Sequence, residues 1–137
     1  MIDIKAYCAL CTQFPPLAGL SDKVGEILRD ELSPQETIRG AWAMSVGKTP
    51  GALVLSERRL IAVYSMRLLF FFNLPAVQEF DLAQLRRCEL DPQGVYLRAS
   101  ASEDPEDEDY EENHFVIEAS QRAELLEALQ ALCPALT

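Results

Sequence analysis

The residues with the most obvious chemical potential are two cysteines near the start of the chain, Cys8 and Cys11, which form a C-x-x-C. A structural zinc site would need a second pair of thiolates or imidazoles, and the sequence supplies only isolated candidates, Cys88, Cys133 and His114. A redox motif should open a helix after a buried strand, which this N-terminal sequence does not indicate. We therefore interpret the pair as small structural residues near a helix face and expect neither a metal nor a cofactor.

The sequence offers few candidate residues for acid–base or nucleophilic catalysis. His114 is the only histidine, and no serine or cysteine context around it suggests a nucleophile–base pair. Carboxylates could substitute, but the clustered ones lie in a loop that would not hold their geometry. The sequence therefore predicts a protein that is not an enzyme.

Charge is concentrated in one segment of the chain, residues 103–112. The formal net charge is −10, and this segment holds eight of the 22 acidic residues, which leaves 14 acids against 12 bases elsewhere. No basic footprint for nucleic acid or for an anionic membrane surface is present. The EF-hand spacing is absent, so we interpret the segment as a solvated loop, with weak cation binding or the docking of a basic partner as alternatives.

No membrane-spanning segment is predicted. The most apolar region, Leu60 to Val77, is interrupted by polar residues and Pro75, and its longest unbroken run is Leu68–Phe72. A membrane span needs about 20 apolar residues. The N-terminus also lacks the basic and apolar regions of a signal peptide. We expect a cytoplasmic protein with reduced thiols.

The first 33 residues are predicted to form a helical N-terminal extension. Ser21 is a good N-cap, and the residues after it make one apolar stripe at helical spacing: Val24, Ile27, Leu28 and Leu32. Ser33-Pro34 should end this helix. The earlier stretch at residues 13–17, which contains Pro15-Pro16, is predicted to be a loop.

From residue 34 onwards the pattern favours six or seven short antiparallel strands and a closing helix. Eight segments are candidates for these six or seven strands: residues 37–43, 52–55, 60–64, 67–74, 77–80, 86–90, 95–99 and 114–118. Turns are predicted at 46–51 and 91–94 and a hairpin turn at 56–59. Ser120 should cap a final helix that carries Leu125, Leu126, Leu129, Leu132 and Cys133 on one stripe. Strands do not alternate with helices, so the predicted class is α+β.

The segment from Gly51 to Val63 resembles the hairpin signature of bacterial pleckstrin-homology-like and GRAM-type domains. In that signature an apolar strand leads to a hydroxyl residue, an acidic or amide residue and two basic residues, here Ser56, Glu57, Arg58 and Arg59. The resemblance covers roughly residues 34–133. It implies a domain over residues 34–137, with a bent, partly open antiparallel barrel of about seven strands and the C-terminal helix at one end. Bacterial members are scaffolding, oligomerising or regulatory modules, while eukaryotic relatives often bind phosphoinositides.

Basic residues near the expected barrel mouth are the candidates for an anionic ligand: Lys48, Arg58, Arg59 and Arg67. A head-group site would need several bases converging from the first loop and the neighbouring strand, and the loop at residues 45–51 supplies Lys48 alone. We expect the Arg59 stem to pack across the sheet with its charged head in water.

The run Leu68-Leu69-Phe70-Phe71-Phe72 does not alternate as a strand with one wet face would, so we predict that both of its faces are covered. Either the N-terminal extension covers it or it forms an interface with a partner or another subunit. The function expected from the sequence is a non-enzymatic protein-binding, scaffolding or oligomerisation module. The alternatives are a peripheral anionic-lipid or small-ligand binding domain and, more remotely, a small metal-binding regulatory protein.

Overall fold

The computed structural model describes residues 1–46, 49–68, 72–83, 85–90, 94–99 and 111–133. Three helices precede the strands: α1 Ile4–Gln13, α2 Pro15–Ala18 and α3 Asp22–Glu31. The strands are β1 Ile38–Val46, β2 Thr49–Ser56, β3 Arg59–Leu68, β4 Phe72–Asp81, β5 Leu85–Leu90, β6 Gly94–Ala99 and β7 Glu111–Val116, and helix α4 Ala119–Leu132 follows them. The predicted α+β class, with an antiparallel sheet and a closing helix, is confirmed.

Helix α3 begins as the sequence predicts. The Ser21 hydroxyl accepts a hydrogen bond from the Val24 backbone N–H at 3.4 Å, and Leu32 lies at the C-cap, next to Ser33. The expected loop at Pro15-Pro16 is wrong, because these residues form the start of α2. Proline is tolerated in the first turn of a helix, where its missing N–H would have no intrahelical partner.

The sheet has the strand order β4-β3-β2-β1-β7-β6-β5, and every pairing in it is antiparallel. Strands β4 and β5 are its two ends. The β3–β4 register runs from Arg59 opposite Asp81 to Leu68 opposite Phe72. Pro75 lies within β4, opposite Ser65, as expected for a strand at the edge of a sheet.

One face of the sheet packs against α4. Leu125 and Leu129 of α4 are fully buried against apolar side chains of this face, which are Trp42, Met44, Leu53, Leu55, Leu60, Ala62, Phe80, Leu82, Phe115 and Ile117. The rings of Phe80 and Phe115 meet edge to face with their centroids 6.1 Å apart. The helix begins at Ala119 after an N-cap at Glu118, so the expected cap at Ser120 is wrong.

The opposite face of β2 and β3 packs against the N-terminal helices. Val24, Leu28 and Leu32 are buried with Leu17 and Ile2 against this face, whose buried members are Ala52, Val54, Ile61 and Val63. Both faces of β2 are therefore covered, which is why residues 52–55 read as an unbroken apolar run. The division into an extension at 1–33 and a domain at 34–137 stays a prediction.

Three strand boundaries in the structure differ from the predicted ones, because pairing with distant strands determines them. The strand expected at residues 67–74 is wrong, because Leu68 ends β3 and is paired with Phe72 of the antiparallel β4. Pro50 and Gly51, expected in a turn, are inside β2. Glu111 and Glu112, expected in the acidic loop, begin β7 opposite Ala99 and Arg98; residues 103–110 lie outside the described residues.

Within the described ranges, none of the helices is long and apolar enough to cross a membrane.

Candidate functional site

The signature hairpin between β2 and β3 is organised by the hydroxyl of Ser56. This side chain is fully buried, accepts hydrogen bonds from the backbone N–H groups of Arg58 and Arg59 at 3.3 and 3.2 Å, and donates to the Arg59 carbonyl oxygen at 3.3 Å. Glu57 reaches away from the turn, and its Oε2 accepts a hydrogen bond from the Thr37 N–H at 2.9 Å. The first half of the signature therefore fixes the turn and attaches it to the start of β1.

Arg59 joins three parts of the fold through its guanidinium group. Its Nε and Nη2 donate to the two carboxylate oxygens of Glu36, both at 2.8 Å, in a bidentate pair. Its Nη1 donates to Glu31 Oε1 at 2.9 Å and lies 3.2 Å from Glu79 Oε2, while Nη2 also donates to the Glu31 carbonyl oxygen at 2.7 Å. We call Arg59, Glu31, Glu36 and Glu79 the Arg59 cluster. It links α3, the segment before β1, and β4.

The centre of the Arg59 cluster, the pair of Arg59 and Glu36, is largely shielded from water. The Arg59 and Glu36 side chains are only 14% and 7% exposed. Hydrogen bonds from Arg59 lower the pKa of the Glu36 carboxyl from 4.5 to about 2, against the opposing effect of burial, with smaller contributions from Ser56 and the Ser33 backbone. The pKa of Arg59 is raised, chiefly by its hydrogen bonds to Glu36. Both groups stay charged at neutral pH, so the cluster is a permanent ion pair network.

The ion pairs of Arg59 change the interpretation of the predicted anion-binding residues. Arg59 was expected to hold its head in water, and that is wrong, because its five N–H groups face five oxygen atoms of Glu31, Glu36 and Glu79. An anionic ligand at Arg59 would have to displace a carboxylate. Arg58 is exposed and forms no ion pair within the described part of the chain, while Lys48 lies outside the described residues.

A cavity of about 780 Å³ opens beside the Arg59 cluster. Its charged lining consists of four carboxylates and two guanidinium groups, which belong to Glu36, Glu57, Glu79, Asp81, Arg58 and Arg59. Asp81 Oδ1 also accepts a hydrogen bond from the Ala83 N–H at 2.9 Å. The lining therefore has two more negative than positive charges, and its most exposed carboxylates lie on the edge strand β4.

The far end of the β3–β4 pair has a different character. Met66 and Leu74 are directly opposite each other in the register, and they are 46% and 47% exposed. Side chains at alternate positions of a strand share a face, so Met66 and Leu74 lie on the same face as Leu60 and Phe80. Leu60 and Phe80 are opposite each other at the other end of the strand pair, and they are only 0% and 1% exposed. Between these two ends the same face carries Tyr64 and Gln78, and the Tyr64 hydroxyl donates a hydrogen bond to Gln78 Oε1 at 3.2 Å. The face is therefore buried and apolar near Phe80, and it ends in an exposed apolar pair, Met66 and Leu74.

The predicted interface at Leu68–Phe72 is only partly described. The register continues from Met66 and Leu74 to Leu68 opposite Phe72, and Leu69, Phe70 and Phe71 lie outside the described residues. The N-terminal helices pack on the other face of β2 and β3, where they bury Val54 and Ile61.

The cysteine pair lies on α1. Cys8 is exposed and Cys11 is half-buried, and both are free thiols. Burial, with a smaller contribution from the Cys11 thiol, raises the pKa of the neighbouring Tyr7 to about 12. Across the residues that are described, no group of three or more potential metal ligands comes together.

The remaining predicted candidates are dispersed through the fold. Cys88 lies in β5 and His114 in β7. Cys133 is buried at the end of α4 and its thiol donates to the Leu82 carbonyl oxygen at 3.5 Å, and burial raises its pKa.

Sequence reasoning missed the residues that define both ends of the β3–β4 pair. Glu36 is 23 positions from Arg59, and no local pattern connects them. Met66 and Leu74 lie in the most apolar region of the sequence, where no local pattern distinguishes exposed from buried positions. Pro75 was the available signal, because a proline inside a strand pattern marks an edge strand.

Comparison with known proteins gives no assignment. No known protein family matches the chain, and no curated protein is similar to it. Among solved structures, one that is similar is the C-terminal domain of an unknown protein from Leishmania infantum, with 14% identity over 96% of this chain and 99% of that one, and a TM-score of 0.48. A likeness at this level carries no argument about fold or function.

Proposed function

We propose that this protein is a non-enzymatic protein-binding module, of the scaffolding or oligomerising kind, that docks through the far end of its β3–β4 pair. The observation that carries the proposal is the exposure of two large apolar side chains, Met66 and Leu74, opposite each other on adjacent strands. Burying them would remove apolar surface from water, at about 25 cal/mol for each Å².

The position of the pair supports a role in binding. A single exposed apolar residue is ordinary on a protein surface, whereas a contiguous patch is typical of an interaction site. Here the two residues extend a face that is fully buried at Leu60 and Phe80. A partner that covers Met66 and Leu74 would remove both side chains from water and enlarge the buried part of this face.

We also propose that the strands form the bent, partly open barrel of pleckstrin-homology-like domains. The strand order supports this, because it runs continuously from β4 to β5 and leaves those two strands as ends. The packing of Leu125 and Leu129 of α4 against one face is also what such a barrel needs at its closed end. In this arrangement the Ser56–Arg59 signature holds the fold together and the opposite end of the hairpin is available to a partner.

The experiment compares three forms of the whole chain in affinity capture from the native host: wild type, Leu74→Asp and Ile4→Asp. Ile4 is a matched control, because it is also a large exposed apolar residue but lies on α1. We expect wild type and Ile4→Asp to retain the same proteins and Leu74→Asp to lose them. Sedimentation velocity of the three forms tests self-association in the same way.

The proposal fails if all three forms retain the same proteins and sediment with the same mass. Circular dichroism of each variant establishes that a loss of binding is not a loss of folding. A purified interaction partner that binds wild type and Met66→Ser with equal affinity would contradict the proposal as well.

A further inference from the structure

The edge strand β4 carries an exposed apolar residue near one end and part of the lining of the acidic cavity at the other. In the described sheet, β4 is hydrogen-bonded to β3 alone. The strand carries Glu79 and Asp81 into the lining of the 780 Å³ cavity, and Leu74 is exposed near its other end. Asp81 is seven positions after Leu74, so this edge is about 23 Å long.

The backbone of β4 has groups available for another strand. The β3–β4 register continues through Pro75 opposite Ser65, so the backbone position without an N–H is the one that faces away from β3. Residues at alternate positions from Pro75 direct their backbone groups to the same side. Val77, Glu79 and Asp81 therefore present N–H and C=O groups to the open edge.

The charge along this edge selects the kind of segment that would fit. Glu79 is half-exposed and Asp81 is exposed, and the cavity lining as a whole has two excess negative charges even with Arg58 and Arg59 counted. The net charge of −10 on the chain also attracts a basic segment, over longer distances. A second copy of this chain would bring another −10 and is the less favourable occupant.

We propose that the open edge of β4 binds an extended peptide segment of a partner protein by strand addition, and that the segment places a lysine or arginine side chain in the acidic cavity. This rests on the proposed protein-binding function and names its partner's chemistry. Backbone hydrogen bonds to Val77, Glu79 and Asp81 supply affinity, while the carboxylates select a basic side chain. Pro75 limits the added strand to the part of β4 that follows it.

The test uses three synthetic ten-residue peptides with capped ends. The first alternates valine with lysine, the second replaces each lysine with glutamate, and the third is the lysine peptide with alternate backbone nitrogens methylated. Binding of each to the full chain is measured by isothermal titration calorimetry at 50 and 300 mM salt. We expect the lysine peptide to bind at least about tenfold more tightly than either of the others, and to weaken several-fold at the higher salt.

Substitutions in the protein test whether the carboxylates of β4 contribute to peptide binding. Glu79→Gln with Asp81→Asn removes two charges while keeping side chains of the same shape, and we expect roughly 3- to 10-fold weaker binding of the lysine peptide. The matched control is Glu26→Gln with Asp30→Asn, which removes two exposed charges from α3. We expect the control to bind within about twofold of wild type.

Several results would overturn the inference. Equal binding of the methylated peptide would exclude strand addition, and equal binding of the glutamate peptide would exclude selection by charge. No binding of any peptide, or equal losses in the two variants, would have the same consequence. If the protein alone is a dimer that the lysine peptide dissociates, then a second copy is the occupant. In each of these cases the Leu74→Asp capture result still decides the proposed function separately.

Discussion

The two ends of the β3–β4 pair use similar residue types and differ in what surrounds them. At one end Leu60 and Phe80 are buried, the adjacent turn is fixed by Ser56, and the Arg59 cluster attaches it to α3 and the segment before β1. At the other end Met66 and Leu74, in the same register and on the same face, are nearly half exposed. Hydrophobicity alone therefore does not show which part of a strand belongs to the core. The neighbouring elements decide it, and here they cover only one end.

The largest expected difference between the two ends comes from deleting one side chain at each. Phe80→Ala should lower the free energy of unfolding by about 3–5 kcal/mol, because it leaves a cavity against Phe115 in the core. Leu74→Ala should lower it by less than about 1 kcal/mol, since that side chain is half in water already. Urea denaturation of both variants measures the contrast, and similar losses would mean that the two ends are equally packed.

Removing the Arg59 side chain should have the next largest effect. Arg59→Ala leaves the shielded Glu36 carboxylate without its bidentate partner, and we expect a loss of about 2–4 kcal/mol. Arg58→Ala is the matched control in the same turn, because its side chain is exposed, and we expect a change within about 0.5 kcal/mol. Chemical denaturation compares the two. Equal effects would show that the Arg59 cluster does not hold the buried end together.

Gly51 tests the middle of the strand pair. It is opposite Tyr64, and a Cβ atom added to it would overlap the Val63 carbonyl oxygen and lie 2.8 Å from the Tyr64 Cβ. Because these atoms cannot move without shifting β3, we expect Gly51→Ala to destabilise the fold by about 1–3 kcal/mol. Gly19→Ala is the control, because the nearest neighbour of such an atom there is the Pro16 carbonyl oxygen, 3.9 Å away. Thermal denaturation that ranks the two variants in the opposite order would contradict the expected crowding.

The smallest expected effect is the pH dependence that Glu36 gives to the buried end. Its pKa is about 2 in the folded protein and near 4.5 when unfolded, so its contribution is complete above pH 4.5 and is lost as the pH falls towards 2. We expect wild type to lose about 1–2 kcal/mol more than Glu36→Gln between pH 6 and pH 3. Urea denaturation at the two pH values measures this, and parallel losses would show that Glu36 is not a paired carboxylate.

The sequence predicts the locally determined parts of this fold. Helix α3 has its cap and its apolar stripe within a dozen residues, and β2 and β3 each contain a compact apolar run. The closing helix is predicted from its leucine spacing, although its first residue is not. These features depend on neighbours in the chain, so they can be recognised without knowing the tertiary structure.

The features that the sequence did not predict depend on residues that are far apart in the chain. Leu68 and Phe72 are paired on neighbouring antiparallel strands, although both lie in one apolar run. No polar residue in this run marks the end of β3, which is why the sequence pattern predicts a single strand at residues 67–74. The Arg59 cluster spans positions 31 to 79, and Arg59 contacts a residue 28 positions before it. Its hairpin signature was recognised, but nothing local indicates that Arg59 would be enclosed by carboxylates and not solvated. The exposure of Met66 and Leu74 likewise depends on where other elements end.

The coverage of β2 on both faces has a consequence for how the chain must fold. Residues 49–56 contain no charged side chain, and apart from its first two residues the strand is fully buried. Short uncharged apolar strands of this kind are prone to stack into fibrils when they are released into water. Helices α1 to α3 come before β2 in the chain and are therefore synthesised first. During synthesis at the ribosome, the residues that form the covering helices in the folded protein are therefore already present when the strand emerges.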